Sequence, residues 1–380
     1  MHLIERAQQP RLRHAARRGI SLSDRGRALV IWVANRVANY RNWSSGPRVT
    51  FERLEQGGVR LVLSVLLVPL DEMDLGQPYG APPQAHYFDD LLDQIRLVER
   101  DLAAHDPQGT RHVVVRQAAD LQDPQRIAFA HCIEGGFHLG ATPEEVRTHV
   151  AELARRGVCY VTLAHLFWRE VATNAPALPF LSDRWYDRIF PQPEQTGLSA
   201  LGRAAVEAMY VHKILIDLSH MRAEAITETL DLLDHLDPGH DFPVLATHAG
   251  VRFAKTEQQY ELAEDTVRRI AERDGVIGLI LAQHQLTDGV RRGNTKRLEE
   301  SIEVICQHID RIDALVGPGH VGLGSDLDGF IKPTLAGLDT SADLAKLRDP
   351  LIARYNDPAK VDAFLYGNAR RVIERALAAR

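Results

Sequence analysis

Five apolar runs of strand length in this chain of 380 residues end on a side chain that can bind a metal ion or carry a proton. The closing residues are Glu134, His165, His220, His248 and Asp326, and a sixth run is followed by Gln283 and His284. One histidine or carboxylate closing one strand is incidental. Five closing five point to a shared site. Imidazole and carboxylate are the ligands zinc takes in hydrolytic sites, where one position stays open for water. Water held there has its pKa lowered toward about 7 and becomes a hydroxide nucleophile. Glu134 has two oxygens and can bridge two ions. Asp326 can exchange a proton with the attacking water and the leaving amine.

The elements that must position these residues follow from the apolar patterning. The strand-length runs are Val59–Val68, Arg126–Ile133, Cys159–His165, Ile214–His220, Pro243–His248, Val276–Leu281 and His320–Gly324. Between them lie stretches with a period near 3.6, which predict helices. The helix expected over Glu144–Arg156 has Thr142 as its cap, Pro143 at its first position and Gly157 at its stop. Alternation of strand and helix means a parallel sheet with crossover helices, whose strands, buried on both faces, read as continuous apolar runs.

The fold class expected is α/β, a (β/α)₈ TIM barrel of the metal-dependent hydrolase type. In such barrels the C-terminal strand ends converge on the active site. Seven strands are visible, so the first is missing or degenerate. Ala28–Val33 is a weak candidate for it, or part of a helix through Tyr40. Residues 1–46 read as a basic arm, truncated or helical and without a metal ligand, and residues 47–380 as the barrel. Two insertions, Asp71–Gln117 and Phe167–Thr196, follow strands, where barrels build their sites.

With these residues in place, the motifs resemble the membrane dipeptidase (renal dipeptidase) family of zinc peptidases. The matching segments are Ile133–Gly136 (IEGG), Val161–His165 (VTLAH), Ile216–His220 (IDLSH), Thr247–Arg252 (THAGVR), Gly324–Gly329 (GSDLDG) and Gly367–Arg371 (GNARR). They span the chain from about residue 50 to its end. The resemblance implies a metallo-dipeptidase with one or two zinc ions. It implies that Glu134 bridges the metals, that His220 and His248 bind the second one, and that His165 contacts the substrate and the tetrahedral intermediate. Asp326 matches the acid near the metals.

The chain departs from the family twice. The His-x-Asp that ends the family's first strand does not occur before Val59, where His2 and His14 are the early histidines. The Arg-Asn pair that binds the substrate's carboxylate is replaced by Gln259-Tyr260-Glu261, which leaves Arg252 or Lys255 as substitutes. Two alternatives therefore stand beside the dipeptidase: another amide, ester or lactone hydrolase on the same barrel, and a catalytically impaired relative with an incomplete binuclear site.

Composition bounds the partners. A net charge of −6, with 45% hydrophobic and 25% charged residues, fits an ordinary globular protein and argues against nucleic acid as the main partner, which would favour a strongly basic face. No apolar run reaches the roughly 20 residues of a transmembrane helix. Cys132, Cys159 and Cys306 form no Cys-x-x-Cys pair and read as small buried residues, which fits a cytoplasmic location. The expected partner is a dipeptide substrate, and a homodimer is the assembly to test. Among lesser signals, His131 should face away from Glu134 by strand alternation. His138 is a weak site candidate. Asp328 should order its loop, and Trp168 and Trp185 should pack within loops.

Overall fold

The computed structural model describes residue 26 and residues 47–380, except positions 73, 75, 179–180, 254–257, 287–294, 330 and 332. All seven apolar runs form strands. In chain order the strands are β1 (Leu61–Leu66), β2 (His112–Val114), β3 (Ile127–Glu134), β4 (Tyr160–Thr162), β5 (Leu215–Asp217), β6 (Val244–Ala249), β7 (Val276–Leu279) and β8 (Val321–Leu323). Every pairing is parallel, in the order β1-β3-β4-β5-β6-β7-β8, and β2 pairs with the start of β3.

The result is a curled parallel sheet in TIM-barrel order. Its strands are buried as their sequences require: all eight residues of β3 are buried, as are all those of β4, β5 and β7. The three cysteines are unpaired and buried. β2 has no counterpart among the seven runs, because it is three residues long, two of them only partly buried, and arginines flank it at 111 and 116.

Crossover helices fall where the periodicity puts them. The first insertion carries the helix His86–His105. Pro143–Arg155 starts at Thr142, whose hydroxyl accepts from the Glu145 amide at 3.2 Å. Ala200–His212, Ala223–Leu236, Glu264–Glu272 and Leu298–Val316 follow β4 to β7 in turn. The C-terminal stretch is not one helix. It runs as Pro358–Asp362, a wide π turn over Ala363–Gly367, and Asn368–Ala378. Among the described residues no helix is long and apolar enough to cross a membrane.

Two local features shape the top of the sheet. Asp328, in the loop after β8, accepts from the backbone amides of Arg48 and Val49 at 2.9 and 3.2 Å. The segment leading into β1 is thereby fastened to the loop leaving β8, which is the loop-ordering role expected of Asp328. Among the described residues β1 and β8 do not hydrogen-bond to each other. Apart from Gly26, residues 1–46, with the expected first strand or ligand-free arm, lie outside the described residues.

The second feature is a bulge in β6. Ala246 pairs with Ile277 and Ala249 with Leu279, so three steps along β6 match two along β7. The Thr247 carbonyl turns toward β7 and β8 there, and a Cβ at either Gly278 or Gly324 would overlap it.

Candidate metal centre

The C-terminal ends of β3, β5 and β6 bring three potential ligands together. Glu134 is the last residue of β3, His220 lies in the turn after β5, and His248 lies in the bulged part of β6. Glu134 Oε1 is 3.4 Å from His220 Nε2 and 3.4 Å from His248 Nε2, and the two imidazole nitrogens are 2.8 Å apart. All three residues are buried. Ligands of a tetrahedral zinc with bonds of about 2.0–2.1 Å lie roughly 3.3 Å from one another. The two Glu134 edges match that spacing, and the donor set of two imidazoles and a carboxylate suits zinc. The residues therefore fit a metal ion.

The other carboxylate oxygen faces a different partner. Glu134 Oε2 is 3.5 Å from His165 Nε2, and Glu134, His165 and His220 offer ligand atoms that all lie within 4.8 Å of one another. His165 Nδ1 is held by Glu72 Oε2 at 2.7 Å. Glu72 ends the one-turn helix Pro69–Glu72 just beyond β1. Its other oxygen accepts from the Phe167 amide at 2.8 Å, and its carbonyl accepts from Arg169 Nε at 2.6 Å.

Sequence reasoning missed Glu72. The signal was present, because Asp71 and Glu72 follow β1 as the other polar residues follow their strands. A long insertion beginning at Asp71 masked it.

Electrostatics differ sharply among these neighbours. Burial disfavours a charged His165 ring, but the Glu72 and Glu134 carboxylates outweigh it and raise its pKa to about 9. His248 is likewise raised to about 9 against burial, by Asp326 and Glu134. Burial dominates at His220 and depresses it to about 3. Glu134 is itself buried, yet the surrounding histidines hold it well below the usual carboxylate range.

Asp326 lies beyond the end of β8, partly exposed. Desolvation pushes its carboxyl up to about 7, helped by Glu134 and Asp328 and opposed by His248 and His165. A Cβ on Gly329 would collide with the Asp326 carboxylate, so only glycine leaves that carboxylate its place. Asp326 and His220 both adopt left-handed backbone, with φ of 49° and 65°. For residues with a side chain such conformations cost of order 1–3 kcal/mol, and they collect where a site over-determines them.

The remaining candidates separate cleanly. Tyr260, missed in the sequence, donates to the His248 carbonyl at 2.8 Å, and its ring meets the His220 ring edge-on at 5.1 Å. It stands in the stretch where the family carries Arg-Asn. Arg252 spends Nε and Nη2 on the Gln258 and Gln259 carbonyls, at 3.0 and 3.3 Å. Lys255 lies outside the described residues.

Other residues pack within the fold. Gln283 Nε2 donates to the Thr295 and Thr334 carbonyls. His138 accepts from the Val68 amide at 3.3 Å, and burial lowers its pKa to about 3. His131 turns away from Glu134 toward Glu99, 3.4 Å distant on the helix His86–His105. Trp168 is buried beside Gly80, and Trp185 is exposed under Arg188.

Comparison with known proteins gives the chain's family and fold. The family model described as membrane dipeptidase (peptidase family M19) matches residues 22–380. An uncharacterized protein in the pqqA 5′ region of Klebsiella pneumoniae is 31% identical over 289 residues, covering 75% of this chain and 96% of that protein. Dipeptidase 3 of Mus musculus is 24% identical over 340 residues, covering 89% of this chain. The match spans only 59% of the mouse protein's length.

Among solved structures, one described as dipeptidase AC, a metallo peptidase of family M19, superposes with a TM-score of 0.68 at 20% identity. It covers 94% of this chain and 97% of that one. A metallo peptidase from Rhodobacter sphaeroides, liganded with a phosphinate mimic of the dipeptide L-Ala-D-Ala, gives a TM-score of 0.65 at 21% identity, with the same coverage of each chain. At these identities the structural likeness shows the fold.

Proposed function

Because the chain belongs to the membrane dipeptidase family, we propose that it is a zinc-dependent hydrolase of dipeptides with Glu134, His220 and His248 as metal ligands. The observation that carries this reading is the buried triangle in which Glu134 Oε1 lies 3.4 Å from both imidazole nitrogens. When bound, a zinc ion there supplies a polarised carbonyl and a water acidified toward neutrality.

The chain's own groups do the rest. Glu72 keeps the His165 ring oriented and favours its charged form, so that Nε2 can donate to the oxygen of the scissile carbonyl as charge develops on it. Loss of one such donor typically costs about 10²–10³ in turnover. Asp326, with a pKa near neutrality, takes a proton from the attacking water and delivers it to the leaving amine. A guanidinium has five N–H donors, so Arg252 retains donors for the substrate's carboxylate beyond those it gives to its own loop. The proposed setting is cytoplasmic and the proposed assembly a homodimer.

Tyr260 favours a second reading. Where the family presents Arg-Asn, this chain places a buried ring against His220. The grip on a free carboxylate is therefore altered, which favours another amide, ester or lactone as substrate on the same machinery. The deciding experiment is metal analysis of purified protein alongside hydrolysis of a dipeptide panel that includes L-Ala-D-Ala. Bound zinc with dipeptide cleavage is expected. Zinc-loaded protein that cleaves esters or lactones but no dipeptide would move the assignment to the second reading.

A further inference from the structure

His248 does not hold its ligand nitrogen out by itself. Its Nδ1 lies 2.8 Å from the hydroxyl of Thr247, and that hydroxyl lies 2.6 Å from Asp217 Oδ2. Asp217 ends β5 and is fully buried. Its Oδ1 accepts from the amide of Ser219 at 3.0 Å, the hydroxyl of Ser219 at 2.8 Å and the amide of Thr247 at 2.8 Å. Its Oδ2 accepts a second hydroxyl, that of Thr162, at 2.6 Å.

Counting protons fixes the direction of this chain. A carboxylate offers only acceptors, and a threonine hydroxyl has one hydrogen. That hydrogen goes to Asp217, so the Thr247 oxygen presents a lone pair to His248. In the neutral ring that a metal ion requires, Nδ1 must then carry the hydrogen, and Nε2, which faces Glu134 and His220, keeps the lone pair. The hydrogen bond made by one ring nitrogen sets the role of the other. His220 has no such support, because its Nδ1 has no hydrogen-bond partner among the described residues.

We propose that Asp217, acting through Thr247, is a positioning residue that sets the ligating tautomer of His248. The proposal rests on the reading of His248 as a metal ligand. It makes a specific claim about Asp217→Asn. Oδ1 receives two backbone N–H groups, which cannot be reversed, so the amide oxygen of an asparagine must take that place. Its NH₂ must then face Thr162 and Thr247, whose hydroxyls can turn. Thr247 would accept from the amide and donate to His248 Nδ1. The hydrogen moves to Nε2 and blocks it.

The test is zinc affinity of the full chain, measured by competition with a chelator. Removal of such outer partners typically weakens metal binding by about 10–100-fold. Asp217→Asn should show that loss. Thr247→Ser, which keeps the hydroxyl, should bind as the parent does. Adding Thr247→Val to Asp217→Asn should recover part of the affinity, because it removes the reversed hydroxyl. A purely structural role for Asp217 predicts further loss instead.

Circular dichroism and melting temperature verify folding. If Asp217→Asn does not fold, Thr247→Val must weaken zinc binding while Thr247→Ser does not. Parent protein that binds no zinc would remove the metal reading together with this inference. Parent protein that binds zinc, with Asp217→Asn or Thr247→Val equally tight, would overturn this inference alone.

Discussion

Glu72 and His165 are 93 positions apart in the chain and 2.7 Å apart in space. Glu72 also holds the Phe167 amide through its other oxygen. A glutamine in its place can offer an acceptor to one of these donors but must turn its NH₂ toward the other. Glu72→Gln should therefore lower kcat by about 10–100-fold while zinc stays bound. Turnover measured beside metal content checks this, and unchanged turnover would remove Glu72 from the mechanism.

His220→Ala and His248→Ala should each abolish metal binding and hydrolysis together, since both nitrogens stand at the shared edge with Glu134. Elemental analysis of the purified variants gives the first number and the dipeptide panel the second. A His220→Ala protein with full activity would sink the mechanism.

Asp326→Asn should keep the metal and lose turnover by about 10²–10⁴-fold, the usual contribution of a positioned proton carrier. Gly329→Ala should imitate it. The added methyl meets the end of a flexible side chain, so the Asp326 carboxylate moves and the fold persists. Full activity in Gly329→Ala would mean that the exact place of this carboxylate does not matter.

Away from the site, Arg273 is almost fully buried and pairs with Asp237 at 2.9 Å and Asp234 at 2.6 Å. Asp237 is buried as well. Removing the cation leaves that buried carboxylate without its counter-ion, a change that typically costs about 3–5 kcal/mol. Arg273→Ala should lose that much stability in urea unfolding. A change below about 1 kcal/mol would place this pair with exposed ion pairs.

The strands and the polar residues that close them were legible because both follow from one constraint. A parallel strand buried on both faces is largely apolar, so a histidine or carboxylate closing the run stands out, and in a barrel the ends converge. Glu134, His165, His220, His248 and Asp326 all carried that mark. β2 did not, being three residues long with two of them only partly buried. Glu72 sits on a single helical turn past β1, where neither periodicity has room to show. Tyr260 reaches the histidines from a loop, and loop geometry has no period. Asp217 looked like any strand residue, since its importance lies in five donors drawn from β4, β6 and the turn after β5.

The bulge in β6 couples three strands that a recombination experiment would treat as separate modules. Its Thr247 carbonyl occupies space that only Gly278 and Gly324 leave open. A chimera that takes β6 from this chain and β7 or β8 from a relative with a larger residue at either place would misfold at the site's floor, however similar the exchanged segments. Crossovers should therefore be tolerated before β6 or beyond Gly324, and the stretch between them inherited as one block.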